Sequence, residues 1–212
     1  RNMTISTQSV EAVVLAAGRS SRMGRPKQLL PLPGGNAVIE RVVGNVAPFV
    51  SDVVVVVGHV PGQVAAMAER AGARIAINPQ VDRGMLSSVQ AGIADLHEAT
   101  TGILLCLGDQ PEVDERTIVP VLDAATETSL VIPTFEGKGG HPVYIAQTFF
   151  EEIRSLAFDA PEGLRSVVRG HPQDTTQVEL TRPDLLHDMD TRADYQQTWQ
   201  RLKQERQTSH DR

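Results

Sequence analysis

The run Asp52-Val53-Val54-Val55-Val56-Val57-Gly58 constrains this chain more than any other stretch. Unbroken valines leave no polar face. A strand built from them must be covered on both sides, as in a parallel sheet layered between helices. The run is far too short to cross a bilayer. The flanking segments follow the same grammar. Glu11 to Ala17 reads as a first strand. Pro26, Pro31 and Pro33 bar a long helix before Gly35. Asn36 is placed to cap a helix from Ala37 to about Pro48, with Val38, Val42 and Val46 at helical spacing. Pro61 opens the next helix and Gly72 ends it after Ala71. Arg74 to Asn78 is a third strand, Leu86 to about Glu98 a third helix, and Gly102 to Leu107 a fourth strand. Strand and helix in alternation with short connections give an α/β doubly wound fold, its central sheet mostly parallel and its helices on both faces.

The second half is less regular. Asp114 to Glu127 reads as a helix and Ser129 to Thr134 as a strand. A glycine-rich loop, Glu136 to Pro142, runs into the apolar Val143-Tyr144-Ile145. Helices are expected around Ile153 and Leu164, a strand near Thr176 to Leu180, and a last helix from about Arg192 to Glu205. No repeat or low-complexity linker divides the chain, so one domain is expected over residues 10–206. Residues 1–9 form an N-terminal tail, with Arg1-Asn2 before Met3 reading as added residues. Residues 207–212 are polar and expected to fray.

Ligands of doubly wound sheets bind beyond the carboxyl ends of the strands. Gly18, Asn78 and Asp109 all lie just past strand ends, so they are expected to share one crevice. The first of these ends is the most distinctive. Leu15-Ala16-Ala17-Gly18 turns into a loop carrying Arg19, Arg22, Arg25 and Lys27. Small residues admit a ligand against the backbone. Backbone N–H groups with arginine and lysine suit a polyphosphate. Known phosphate motifs do not fit: five residues separate Gly18 from Gly24, Lys27 does not follow Gly24, and position 20 is Ser. A plain basic turn is the alternative.

Composition bounds the function. The chain has 212 residues, with 20 Lys and Arg against 26 Asp and Glu, a formal net charge of −6. That balance argues against nucleic acid as the main partner, and no segment suits a membrane. A hydrophobic content of 41% with only 4% aromatics implies an aliphatic core. A lone cysteine, Cys106, cannot form an internal disulfide. Without a secretory signal, this points to a reducing cytoplasm, with Cys106 a small buried hydrophobe.

Two acidic points suit a hard cation. Asp109, in Leu107-Gly108-Asp109-Gln110-Pro111, ends a buried strand and could hold Mg²⁺ beside substrate phosphates, or merely cap or turn the chain before the helix at Asp114. Asp190, in Asp188-Met189-Asp190-Thr191, is a second ligand or a cap of the last helix, and Asp188 is open to the same reading. Ser87 and Ser88, in Gly84 to Gly92, either cap a helix or donate to a base or ribose. His141, in Gly140-His141-Pro142, touches a phosphorylated acceptor, serves as acid or base, or only turns the chain. No G-x-S-x-G elbow supports a serine hydrolase, and no Cys/His spacing suits zinc.

These segments occur in the order of one family. The loop L-A-A-G-x-x-x-R-M-G-x-x-K, Gly84 to Gly92, Gly108 to Pro111, Gly140 to Pro142 and Asp188 to Thr191 make the chain resemble the molybdenum-cofactor nucleotidylyltransferases, most of all their cytidylyl branch. The resemblance implies a single Rossmann-like domain that uses Mg²⁺, or Mn²⁺ in its place, and CTP. It implies catalytic roles for Arg22, Lys27 and Asp109. Leu15, Ala16, Ala17, Gly18, Arg19, Arg22, Lys27, Asn78, Ser87, Ser88 and Gly92 would bind the nucleotide. Asp109 and Asp190 would bind the metal, and Gly140, His141 and Pro142 the acceptor. The acceptor would be a phosphorylated pterin, molybdopterin, whose phosphate attacks the α-phosphorus and releases pyrophosphate. A molybdenum hydroxylase of the xanthine dehydrogenase type would be a downstream partner.

Ala17 stands where the guanylyl branch has Gly, and its methyl narrows the corner in favour of a pyrimidine. Enzymes acting on sugar or polyol phosphates also carry Ala-Ala-Gly. Alternatives are therefore a cytidylyl- or uridylyltransferase for such acceptors, a guanylyltransferase, and a carrier that delivers the cofactor without chemistry. One departure is Phe158, which precedes Asp159 where the family has Gly, with a longer spacing to Gly163.

Overall fold

The computed structural model describes residues 9–18, 26–58, 62–160 and 162–210. Strands β1 (Val10–Leu15), β2 (Asp52–Gly58), β3 (Arg74–Asn78) and β4 (Gly102–Leu107) alternate with helices α1 (Val38–Val46), α2 (Gly62–Arg70) and α3 (Met85–Ala94). Then come α4 (Glu115–Asp123), β5 (Leu130–Phe135), β6 (Lys138–Gly139), β7 (Val143–Ala146), α5 (Phe150–Ser155), α6 (Leu164–Gly170), β8 (Thr175–Glu179) and α7 (Arg192–His210). The eight strands form one sheet in the order β3-β2-β1-β4-β7-β5-β6, with β8 paired to β5. Pairing is parallel from β3 through β4 and between β5 and β8. Strand β7 is inserted antiparallel between β4 and β5.

Val53 to Val57 are all buried, so both faces of β2 are covered, as their sequence demands. Helix α3 lies across β1, β2 and β3 and touches α5, while α1 packs on α2 and α4. The aliphatic core runs through Val10, Ala12, Val13, Val14, Ile103, Leu104 and Leu105, all essentially inaccessible. Among the described residues, no helix is long and apolar enough to cross a membrane.

Several boundaries differ from the sequence expectation. Asn36 does not cap α1; Ala37 does, and its N–H donates to Glu40 Oε2 at 2.7 Å. Glu40 thus satisfies the N-cap N–H, the half of a capping box that a first-turn Glu supplies; alanine has no side-chain oxygen for the other half. Pro61 lies outside the described residues, and Gly72 turns the chain after α2 at φ 96° as expected. The glycine-rich loop contains a short strand, β6, reached through a turn at Glu136 (φ 50°) and Gly137 (φ 74°). Helix α7 continues past the expected end near Glu205 to His210. Gln, Glu, Lys and Arg are adequate helix formers despite their polarity. Thr208 Oγ1 also returns to the Glu205 carbonyl at 2.9 Å.

Gly92 is where α3 presses on the sheet. A Cβ there would lie 2.4 Å from Val13 Cγ1 and 3.1 Å from Val56 Cγ2. Gly92→Ala is expected to destabilise the protein by about 1–3 kcal/mol through overpacking, less up to ~1 kcal/mol of helix propensity. A lower urea midpoint with an unchanged m-value would show it; an unchanged midpoint would mean that α3 shifts freely.

Candidate active site

The sheet order reverses at β1. Strands β2 and β3 lie on one side of it and β4 on the other, which opens a crevice at the carboxyl ends of β1 and β4. Leu15 is in register with Leu107. Just beyond, Gly108 N–H donates to the Leu15 carbonyl at 2.9 Å, and a Cβ on Gly108 would fall 2.8 Å from that oxygen. Glycine is required there by close approach. Ala16 is buried, Ala17 half-buried and Gly18 exposed, so the backbone rises out of the sheet at the crevice mouth. Arg19, Arg22 and Arg25 lie outside the described residues.

Three residues from distant parts of the chain meet here. Lys27 Nζ contacts Asp109 Oδ2 and lies 3.0 Å from Asp190 Oδ1. The Lys27 and Asp109 side chains are only 15% and 14% exposed, so their charges act through little solvent. Burial alone would lower the Lys27 pKa. The hydrogen bonds and negative charges of Asp109, then Asp190, outweigh it and hold the ammonium above its ordinary value. Lys27 is therefore a cation at neutral pH.

The two helix-cap alternatives fall away. Asp114, not Asp109, caps α4, accepting from Arg116 N–H at 2.9 Å. Thr191 and Asp194 cap α7 reciprocally, with Thr191 N–H donating to Asp194 Oδ2 at 2.7 Å and Asp194 N–H to Thr191 Oγ1 at 3.2 Å. Asp188 lies beside the pair and accepts from Gln110 Nε2 at 2.8 Å. Burial, then the charges of Asp109 and Asp190, raise its pKa against that bond.

Two carboxylates that converge on one ammonium are also a donor set for a hard divalent cation completed by substrate phosphates. The residues present thus fit a metal at Asp109 and Asp190. A second convergence of ligand-type atoms among the described residues, Glu11, Asp52 and His97, lies at the opposite end of the sheet. Arg74 already fills it, donating to Glu11 Oε2 and Asp52 Oδ2, each at 2.6 Å.

The Gly140-His141-Pro142 segment packs against Leu185. Gly140 is buried, and a Cβ there would come 2.3 Å from the Leu185 carbonyl oxygen. His141 N–H donates to that same oxygen at 3.2 Å, and Pro142 is buried. Burial pushes the His141 imidazole down to about 4; the positive Arg165 on α6 adds to this, and Asp109 opposes it. His141 is therefore neutral at pH 7. Phe158, the departure from the family pattern, lies under the Arg83 guanidinium at 4.6 Å.

Other expected contacts are not brought into the crevice. Asn78 is 2% exposed, and its Nδ2 donates to Ser87 Oγ at 2.8 Å and Ser88 Oγ at 2.9 Å. Asn78 Oδ1 accepts from Gln80 N–H, and Ser87 Oγ lies 2.7 Å from the Gly84 carbonyl. Both serines are nearly inaccessible and cap nothing: Gly84 is the N-cap of α3. Their hydroxyls bond within the β3–α3 turn. Gly92 likewise packs on the sheet. Sequence alone assigns nothing to Glu112 or Arg201, whose carboxylate and guanidinium meet between the β4–α4 turn and α7.

The MobA-like NTP transferase domain matches residues 12–176. The chain belongs to this family. The molybdenum cofactor cytidylyltransferase of Escherichia coli (strain K12) is 24% identical over 189 residues, 88% of this chain and 94% of the relative. The nicotine blue oxidoreductase of Paenarthrobacter nicotinovorans is 30% identical over 191 residues, 86% and 92% of the two chains. A "Probable molybdenum cofactor guanylyltransferase" of Mycobacterium avium (strain 104) is 28% identical over 192 residues, 89% and 94%. The crystal structure of Rv0371C from Mycobacterium tuberculosis H37Rv in complex with manganese is 28% identical, with a TM-score of 0.72 over 91% of this chain and 98% of that one. The chain is thus a nucleotidyltransferase of the MobA-like type, a single α/β domain with a mostly parallel sheet.

The His141 environment has a consequence for stability. Its folded pKa, about 4, lies below the ordinary 6.5. Between those values the unfolded chain binds the proton more tightly. The contribution is complete above pH 6.5 and is lost as pH falls toward 4, amounting to at most about 3 kcal/mol. Urea unfolding at pH 7 and pH 4.5 should show wild type losing more stability on acidification than His141→Gln; equal losses would mean that His141 is not buried neutral.

Proposed function

We propose that this enzyme transfers CMP from CTP to the phosphate of a molybdopterin-type acceptor and releases pyrophosphate. The observation that carries the reading is the convergence of Lys27, Asp109 and Asp190 at the β1/β4 crevice mouth. The α-phosphorus forms a bond to the acceptor phosphate oxygen as its bond to the pyrophosphate oxygen breaks. A phosphate monoester is largely dianionic at pH 7, so its oxygen attacks without a general base. Catalysis is then positioning and charge neutralisation.

The backbone at Ala16, Ala17 and Gly18 lies against the nucleotide, with Arg19, Arg22 and Lys27 on its phosphates. Asp109 and Asp190 hold Mg²⁺ or Mn²⁺. The bound cation would neutralise the triphosphate and the departing pyrophosphate. Lys27, charged and pivoting on a flexible stem, is placed to exchange a carboxylate for a phosphate oxygen. Neutral His141 offers the acceptor a hydrogen bond without a charge, and Arg165 supplies positive charge on that side. A carrier that only binds the finished cofactor has no use for this lysine–carboxylate arrangement. Buried Cys106, its thiol pushed up to about 12 by desolvation, is no nucleophile and is compatible with a reducing cytoplasm. The product would pass to a molybdenum hydroxylase.

The choice of CTP rests on the Ala17 methyl. The naming of both cytidylyl and guanylyl relatives supports GTP as the second reading. Thermal melts with CTP, GTP, UTP and ATP, each with and without Mg²⁺, separate the two. A nucleotide at a hundred times its Kd adds about 2.7 kcal/mol of stability. The largest shift is expected with CTP and Mg²⁺; a larger one with GTP would overturn the base assignment alone. In a pyrophosphate-release assay with molybdopterin, Asp109→Asn should lower kcat by about 10²–10³-fold, the scale for losing one preorganised electrostatic group. Chelation of divalent metal should abolish release, with recovery on adding Mg²⁺ or Mn²⁺. No release under any of these conditions would sink the acceptor assignment.

A further inference from the structure

Asp109 and Asp190 belong to different supports. Asp109 sits on the turn after β4, and Asp190 immediately precedes the Thr191–Asp194 cap of α7. That cap couples Asp190 to the helix, so the separation of the two carboxylates depends on how α7 is held against the β4 turn. Gln110 already bonds Asp188 across this gap, and Glu112, three residues beyond Asp109, supplies the link to the helix itself. Its Oε1 accepts from Arg201 Nε at 2.5 Å and its Oε2 from Arg201 Nη2 at 2.7 Å. Thr198 Oγ1, on the same face of α7, adds a bond to Oε2 at 3.1 Å. The Glu112 side chain is 10% exposed, so its charge depends on this partner. Two parallel bonds from a planar guanidinium fix the rotation of α7 as well as its distance.

We propose that Glu112, acting through Arg201, is a positioning residue that sets the spacing of Asp109 and Asp190 for a divalent cation. This rests on the reading, given above, that those two carboxylates hold the metal. Neither Glu112 nor Arg201 need touch nucleotide or acceptor. Arg201→Met removes the fork and leaves Thr198 Oγ1 as the α7 group still bonded to Glu112, whereas Arg201→Lys keeps a charge but loses the fork.

The test is Mn²⁺ binding followed by electron paramagnetic resonance on the full chain, alone and with CTP. Arg201→Met should weaken Mn²⁺ binding at least tenfold, the scale seen when a residue behind a metal ligand is removed. Arg201→Lys should fall between it and wild type. Thermal shifts by CTP without metal should stay at the wild-type value, and excess Mn²⁺ should restore kcat. Should Arg201→Met fail to fold, the Glu112→Gln/Arg201→Met double variant removes the buried charge together with its partner and carries the same expectation. Wild-type Mn²⁺ affinity in a folded Arg201 variant overturns the inference, provided Asp109→Asn and Asp190→Asn each weaken Mn²⁺. If those two bind Mn²⁺ as wild type does, the metal assignment itself falls, and this inference with it.

Discussion

A largely buried carboxylate must find a cation, and at the mouth of this sheet Asp109 shares its lysine with the more exposed Asp190. Lys27 answers to Asp109 and Asp190 together. That requirement ties the first loop, the β4 turn and the C-terminal segment into a single structure. The sheet makes it achievable. Parallel β1 and β4 run side by side to Leu15 and Leu107, and the absence of a side chain at Gly108 lets the two ends stay in contact. The carboxylate that follows is delivered to the same spot as the loop leaving β1. A Cβ at position 108 would push the turn away from the Leu15 carbonyl and carry Asp109 with it.

The second half of the chain provides the other wall. Antiparallel β7 is reached through the β6 turn, and Gly140 lets the Leu185 backbone settle directly on the start of this strand. Leu185 carbonyl oxygen then serves two residues, His141 N–H at 3.2 Å and Gln110 Nε2 at 3.2 Å. Helix α7 reaches back across the molecule: Tyr195 Oη donates to the Pro31 carbonyl at 2.6 Å and Arg206 Nη1 to the Pro33 carbonyl at 2.7 Å. The same helix thus borders the lysine loop and the aspartate turn. Its polarity all round is explained by these contacts: it is held by side-chain hydrogen bonds and ion pairs more than by an apolar stripe.

What could be read from sequence follows from how unambiguous each signal is. Strands β2, β3 and β4 have the bounds expected of them, because short aliphatic runs between turn residues admit one solution in an α/β chain. The meeting of Lys27, Asp109 and Asp190 was accessible through the family resemblance, which draws all three into one site. Asn78, Ser87 and Ser88 show the limit. Small polar residues at a strand-to-helix turn look the same whether they face a ligand or each other, and here Asn78 donates to both serines in the interior. Gly92 is the same problem for glycine: close approach by a ligand and close approach by Val13 leave identical sequence. Strand β7 is as apolar as its parallel neighbours, so nothing in its residues announces its direction. Glu112 and Arg201 were beyond reach because a charged residue reveals its partner only in three dimensions.

The two ends of the sheet carry similar acidic groups, and the difference between them explains why one end is structural and the other reactive. At the amino end, Glu11, Asp52 and Asp95 surround Arg74, whose guanidinium donates to all three. Glu11 Oε1 also accepts from His97 N–H and the Thr100 hydroxyl, and Asp52 Oδ1 from Val53 N–H. These donors are fixed in direction by a planar group and by backbone, so replacing them with a metal would orphan several buried atoms at once. At the carboxyl end the cation is an ammonium on a flexible chain, shared by carboxylates from separate segments. Moving it breaks contacts that a divalent ion and a triphosphate can replace in kind. A lysine serves the reactive end for the same reason that an arginine serves the structural one: its charge is held strongly, but its geometry is not.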